Sequence, residues 1–103
     1  MPGPTMKVAT IVGLKEYPAP PDFPADKMDK TAVCVWIKLL ELRKNLAKGG
    51  RYHGLSHQPY KRKIDRTTDT ETAATLALML GQSLGRTRSY WDEQASLAVE
   101  EDT

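Results

Sequence analysis

The chain has 103 residues and a formal net charge of +2, with 40% hydrophobic and 27% charged residues, which is the size and composition of one globular domain. No apolar run approaches the roughly 20 residues that a membrane-spanning helix needs, and the N-terminal residues lack the cationic start of a signal peptide. Cys34 is the only cysteine. An intramolecular disulfide is therefore excluded, and we expect a protein of the reducing cytoplasm.

The charges are distributed unevenly along the chain. Residues 1–37 are neutral overall, and residues 38–66 carry nine basic side chains against two acidic ones. Residues 67–103 carry two basic side chains against seven acidic ones. The basic middle of the chain predicts an acidic partner, either the phosphates of a nucleic acid or an acidic protein surface.

Residues 1–25 are predicted to form an N-terminal arm. Within it, residues 6–14 alternate in the manner of a short strand, with Val8 and Ile11 on opposite faces. No second strand is evident, so this strand is expected to pair with another copy of the chain or with another protein. The four prolines between residues 16 and 26 predict an extended connection after the strand.

The first long helix is predicted from Asp26 to Lys48, with Asp26 and Asp29 at its capped start. Its apolar residues cover more than half of its circumference, which is more than one neighbouring helix can bury. We therefore predict a homo-oligomer or a protein partner. The expected interface residues are Val8, Ile11, Trp36, Leu40, Met79 and Trp91.

Residues 51–67 are predicted to form a long basic connection, and loops of this length are usually functional or disordered. Cations interleaved with aromatic side chains are typical of surfaces that contact phosphates and stack on bases. The alternative is a solvated loop that pairs with the acidic tail, residues 100–103. A zinc site is not predicted, because Cys34 is the only thiol and His53 and His57 lack a helix that would hold both on one face.

Residues 68–98 form the longest helix-favouring segment. Thr68 and Glu71 have the spacing of a capping box, which predicts the helix start at Thr68. Gly81 and Gly85 interrupt the segment, and three interpretations are open. In the first two, the segment is one long helix that uses both glycines for close packing, or the helix ends at Gly85 and a short helix follows, capped by Ser89.

In the third interpretation the same segment resembles a helix-turn-helix motif. A core residue, a small residue, a core residue, a turn glycine and an N-cap follow one another at Leu76, Ala77, Leu80, Gly81 and Ser83. The resemblance implies a second helix over residues 84–98 that would meet bases and phosphates through Arg86, Arg88 and Ser89. The sequence departs from the motif at Thr87 and Tyr90, where aliphatic residues are usual.

Together these elements predict a mainly α fold. We expect a two-helix antiparallel hairpin over residues 26–99, with its second helix broken near Gly81–Gly85 in two of the interpretations. The proline-rich arm would carry one short strand. The sequence has no phosphate-binding glycine loop, no nucleophile elbow and no cluster of metal ligands. We therefore predict a non-enzymatic protein without a metal or cofactor.

Two functions are consistent with these patterns. The first is a helix-turn-helix-like regulator that binds nucleic acid through Arg51, Lys61, Arg62, Lys63, Arg66, Arg86, Arg88 and Ser89. The second is an oligomeric assembly protein or inhibitor, for example a viral or phage component. That protein would use the N-terminal arm and exposed apolar helix faces.

Overall fold

The structure, a computed structural model, describes residues 4–48 and 66–101 of the chain. These residues form two antiparallel strands, a short 3-10 turn and three helices, which are β1 (Thr5–Thr10), β2 (Gly13–Pro18), Ala25–Lys27, α1 (Lys30–Ala47), α2 (Arg66–Leu84) and α3 (Arg88–Glu101). The mainly α class is confirmed. The two-helix hairpin was wrong, because the described chain has three helices and α3 packs on both α1 and α2.

The predicted single strand over residues 6–14 is a β-hairpin. β1 and β2 pair from Thr5 opposite Pro18 to Thr10 opposite Gly13. Gly13 has a φ of 116°, which a residue with a side chain rarely adopts, so the chain reverses direction there. The expectation that no second strand exists was therefore wrong, since the first residues of the proline-rich stretch form β2.

Helix α1 begins later than predicted. The Asp29 carboxylate accepts a hydrogen bond from the Ala32 N–H at 2.7 Å and is the N-cap. Asp26 lies in the preceding 3-10 turn, and Met28 between them is extended with a φ of −116°. The extended residue separates the 3-10 turn from the helix, which runs from Lys30 to Ala47.

Helix α2 passes through Gly81 and ends at Leu84, so the helix-turn-helix turn at Gly81 and the single continuous helix were both wrong. Gly85, with a φ of 88°, donates its N–H to the Gly81 carbonyl at 2.8 Å and closes the helix. Thr87 then caps α3 by accepting a hydrogen bond from the Tyr90 N–H at 3.0 Å. The interpretation with a helix end at Gly85 is confirmed, with the cap two residues earlier than Ser89.

The start of α2 also differs from the prediction. The helix begins at Arg66, so Thr68 lies inside its first turn instead of preceding the helix as its cap. Asp69 lies in the same turn, where its negative charge interacts favourably with the positive end of the helix dipole.

The core is organised around two tryptophans. Trp36 of α1 and Trp91 of α3 are fully buried and meet edge to face with their ring centroids 6.0 Å apart. Each indole N–H has a carbonyl acceptor, Pro18 for Trp36 at 2.8 Å and Gly85 for Trp91 at 2.7 Å. The Phe23 ring packs against Trp91 at a tilt of 47°, with the ring centroids 5.0 Å apart. These contacts hold the hairpin and the proline-rich stretch against the helices.

Small residues let the three helices approach one another. Ala73 and Ala77 of α2 and Ala95 of α3 are completely buried, and each leaves room for the larger side chains of α1. Arg43 of α1 and Asp92 of α3 form a two-pronged ion pair, with the Nε to Oδ1 distance at 2.7 Å. The pair fixes the crossing of α1 and α3 at the edge of the core.

Candidate interaction surfaces

The turn of the β-hairpin is built by the residues that flank it. The Thr10 hydroxyl donates to the Gly13 carbonyl at 2.7 Å and accepts from the Val12 N–H at 3.3 Å. Turn centres usually carry Gly, Asn, Asp or Pro, whereas this one carries Ile11 and Val12. Because Thr10 and Gly13 supply the turn geometry, the two central positions can present apolar side chains.

These side chains are almost completely exposed to solvent. The relative exposures are 104% for Ile11, 84% for Val12 and 72% for Leu14, and the three are called the hairpin tip below. Burying one such side chain in a complex contributes about 1.5–3 kcal/mol. The tip therefore gains free energy from contact with an apolar surface.

A second apolar surface lies between the start of α1 and the end of α2. It is a groove of about 310 Å³, here called the α1–α2 groove. Its lining side chains are all uncharged, namely Thr31, Ala32, Val35, Met79, Leu80, Gln82 and Ser83. Met79 is 42% exposed and the neighbouring Leu78 is 47% exposed, so α2 offers apolar surface to solvent at this place.

The predicted nucleic-acid contacts fall in two groups. Arg51, Lys61, Arg62 and Lys63 lie outside the described residues, and Arg66 is the first residue of α2. In the second group, Arg86 lies in the turn between α2 and α3, while α3 begins with Arg88 and Ser89. All three of these side chains are exposed.

Arg86 has two neighbours and a rare backbone conformation. Its guanidinium lies 3.6 Å from the Asp22 carboxylate and 5.4 Å from the centroid of the Tyr90 ring. Its φ of 71° makes it the one non-glycine residue of positive φ in the described chain. Burial raises the pKa of Tyr90, and the hydrogen bond that its hydroxyl donates to Asp22 at 3.1 Å raises this pKa further. Arg86 is thus part of a cluster that ties α3 to the proline-rich stretch.

The predicted interface residues are divided between the core and the surface. Trp36, Leu40 and Trp91 are buried in the chain's own core, so their assignment to an intermolecular interface was wrong. The cause is α3, which covers the apolar arc of α1 that two helices alone would expose. Ile11 and Met79 are exposed, and Val8 is half-buried against the core.

The structure adds Val12 and Leu14 to the surface residues that the sequence indicated. The signal for them was present but weak. Gly13 separates two β-prone runs, and a glycine between such runs is a known mark of a hairpin. The adjacent Ile11 and Val12 concealed it, because two β-branched residues favour a continuing strand over a turn.

Residues 4–48 and 66–101 contain neither a metal site nor a membrane-spanning helix. No three His, Cys, Asp or Glu side chains in these ranges are placed to hold a metal ion. None of the helices there is long and apolar enough to cross a membrane. His53 and His57 lie outside these ranges.

Comparison with known proteins gives no match. No protein-family model, no curated protein and no solved structure is significantly similar to this chain.

Proposed function

We propose that the protein is a non-enzymatic assembly protein whose hairpin tip docks in the α1–α2 groove of a second copy. The observation that carries the proposal is the exposure of Ile11, Val12 and Leu14 at the hairpin turn. The turn is held by the Thr10 hydroxyl and the Gly13 carbonyl, so its geometry does not depend on these apolar side chains. Exposed apolar side chains gathered at one point are typical of interaction sites.

The groove is a suitable receptor because its chemistry matches that of the tip. Neither surface carries a charge, so docking removes no ion from water. The tip lies at the turn of the β-hairpin, and the groove lies between α1 and α2. The two surfaces therefore consist of different residues. Such a contact is heterologous, and repeated head-to-tail docking produces closed rings or open filaments.

The magnitude of the interaction is modest. Three side chains contribute about 1.5–3 kcal/mol each, and association costs an estimated 4–15 kcal/mol in lost freedom. Even the largest gain and the smallest cost leave only about 5 kcal/mol, so we expect dissociation constants of roughly a few hundred micromolar or weaker, and measurements should reach about millimolar concentrations.

The experiment compares the self-association of three proteins by sedimentation equilibrium. Wild type is expected to associate, and the double variant Ile11→Ser/Val12→Ser is expected to associate at least tenfold more weakly, because two apolar side chains are lost from the contact. The control variant Leu97→Ser changes an exposed apolar residue of α3 and should behave like wild type. A wild type that stays monomeric at high concentration would contradict the proposal.

A second variant tests the receptor. Met79→Lys places a charge in the groove at a residue that is already partly exposed, and it should weaken association as much as the tip variant does. A mixture of the tip variant and the groove variant retains one intact tip and one intact groove. This mixture should form heterodimers and nothing larger. Absence of heterodimers would show that the tip does not bind this groove.

Nucleic-acid binding is the second candidate function, and the charge distribution favours it. Nine basic side chains stand against two acidic ones in residues 38–66, and Lys38, Lys44 and Lys48 are exposed on the described part of this segment. Arg88 and Ser89 are exposed at the start of α3. Helix α2 continues through Gly81, where the helix-turn-helix interpretation placed its turn, so this candidate rests on phosphate contacts.

The test is fluorescence anisotropy with a mixed-sequence duplex and a single strand at two salt concentrations. Replacing Lys61, Arg62 and Lys63 with glutamine should weaken binding and reduce the slope of log affinity against log salt by about two to three. The matched control replaces Lys7, Lys15 and Lys27, which lie outside the basic segment. Equal binding by both triple variants, or no binding at low salt, would exclude this function.

A further inference from the structure

The outer edge of β1 carries backbone groups that β2 does not use. The Ala19 N–H donates to the Pro4 carbonyl at 2.8 Å, so Pro4 and Ala19 form a hydrogen-bonded pair. Such pairs alternate along an antiparallel ladder, which directs the N–H and C=O groups of Met6 and Val8 towards β2. By the same alternation, those of Thr5, Lys7 and Ala9 point away from it.

The outer edge of β2 is blocked at its last residue. Pro18 has no N–H, and its outward carbonyl accepts the hydrogen bond from the Trp36 indole. Within residues 4–48 and 66–101, the backbone groups of Lys7 and Ala9 on β1, like those of Leu14 and Glu16 on β2, make no backbone hydrogen bond outside the hairpin. A free strand edge is a template for another strand.

A groove runs along this free edge. It has a volume of about 510 Å³ and is here called the β1–α1 groove. Residues 7–9 line one side, and Met28, Val33 and Cys34 line the other. A strand edge beside a helix is the arrangement in which an extended peptide can pair with the strand and place alternate side chains against the helix.

The charges of the groove define what it would bind. The two charged residues that line the groove are Lys7 and Lys30. Glu16, the cross-strand partner of Lys7 on β2, does not line the groove. The groove therefore favours an occupant with carboxylates. A second copy of β1 is disfavoured, because antiparallel pairing of two copies would bring both Lys7 side chains to one groove.

We infer that the β1–α1 groove binds an extended acidic segment of a partner protein, which adds a third strand to β1. Apolar side chains of that segment contact Val33 and Met28, and its carboxylates meet Lys7 and Lys30. The inference does not depend on the hairpin tip, because the tip and the lining of this groove share no residue.

The experiment titrates the full chain with an acetylated peptide of about eight residues that alternates valine and glutamate, a length ordinary for a strand. Binding is followed by backbone amide chemical shifts and by hydrogen exchange. The amides of Lys7 and Ala9 should gain protection, while those of Met6 and Val8 already donate to β2 and serve as internal references. A peptide that alternates valine and lysine is the charge control.

Two pairs of variants separate charge from strand pairing. Lys30→Glu should weaken binding about three- to tenfold through charge reversal, and it suits the first turn of α1. Lys27→Glu, at an exposed lysine that does not line the groove, should leave the affinity unchanged.

The second pair of variants tests strand pairing. Ala9→Pro removes an outward N–H, which an edge strand tolerates, and should also weaken peptide binding about three- to tenfold. Glu16→Pro does the same on β2 and should have no effect.

Several results would overturn the inference. Equal responses to the glutamate and lysine peptides would show that charge does not select the occupant, and unprotected Lys7 and Ala9 amides would show that no strand is added. Protection of these amides that rises with protein concentration without peptide would indicate pairing between copies. The tip variant Ile11→Ser/Val12→Ser should bind the peptide like wild type, so failure of self-association and failure of peptide binding are separate outcomes.

Discussion

At the scale of single residues, Gly81 shows why a glycine can be mistaken for a turn. It lies inside α2, and the Arg86 carbonyl passes close to it because the chain folds back after Gly85. A Cβ atom built on Gly81 would be 2.9 Å from that carbonyl oxygen, closer than atoms of this kind pack. The glycine is therefore required by a tertiary contact between α2 and the turn that follows it.

We predict that Gly81→Ala lowers the free energy of unfolding by up to about 2 kcal/mol. Overpacking against the backbone costs about 1–3 kcal/mol, and the better helix propensity of alanine returns roughly 1 kcal/mol. Urea unfolding followed by circular dichroism measures the difference. Thr72→Ala, at an exposed position of the same helix, should be neutral or slightly stabilising. A stabilised Gly81→Ala protein would show that the turn does not pack on α2.

At the scale of elements, the β-hairpin depends on the Thr10 side chain. Its hydroxyl makes two hydrogen bonds within the turn, and they act in place of the residues that turns usually contain. This arrangement leaves Ile11 and Val12 free for contact. The stability of the hairpin and the presentation of its tip are therefore coupled through Thr10.

We predict that Thr10→Val loosens the hairpin without unfolding the helices. Valine has nearly the same shape but makes neither hydrogen bond, and each bond contributes about 0.5–1.5 kcal/mol when it is shielded from water and less when exposed, as here. Hydrogen exchange at the Val12 amide and at the ladder amides of β1 should become severalfold faster. Exchange in α1 should not change. The control Thr5→Val lies at the other end of β1, and equal acceleration by both variants would contradict the role of the Thr10 hydroxyl.

At the scale of the whole molecule, α3 decides which surfaces remain for partners. It buries Trp36 and contributes Trp91, and it is held to α1 by the ion pair of Arg43 and Asp92. The apolar arc of α1 that predicted an interface is therefore filled from within the chain. In the described residues, the large apolar side chains that remain exposed lie at the hairpin tip, at Leu78 and Met79 of α2 and at Leu97 of α3.

Local patterns carried much of the prediction. The helical character of α1 and α2 follows from their composition and spacing, and the helix end at Gly85 was among the open interpretations. The start of α1 was predicted at Asp26, whereas the cap is Asp29. The candidate site was predicted only in part. The sequence indicates Ile11 and Met79 but not Val12 and Leu14, because the β-branched pair Ile11 and Val12 favours a continuing strand over a reversal at Gly13.

The sequence by itself determined the mainly α class, the unequal distribution of charge and most of the helical segments, because these depend on neighbours in the chain. The tertiary structure alone decided that Gly81 packs instead of turning, that Trp36 and Trp91 belong to the core, and that β1 has an outer edge without a partner strand among the described residues. Each of those properties depends on atoms that are distant in sequence. Trp36 and Pro18 are 18 residues apart and Arg43 and Asp92 are 49 apart, and no local pattern records such contacts.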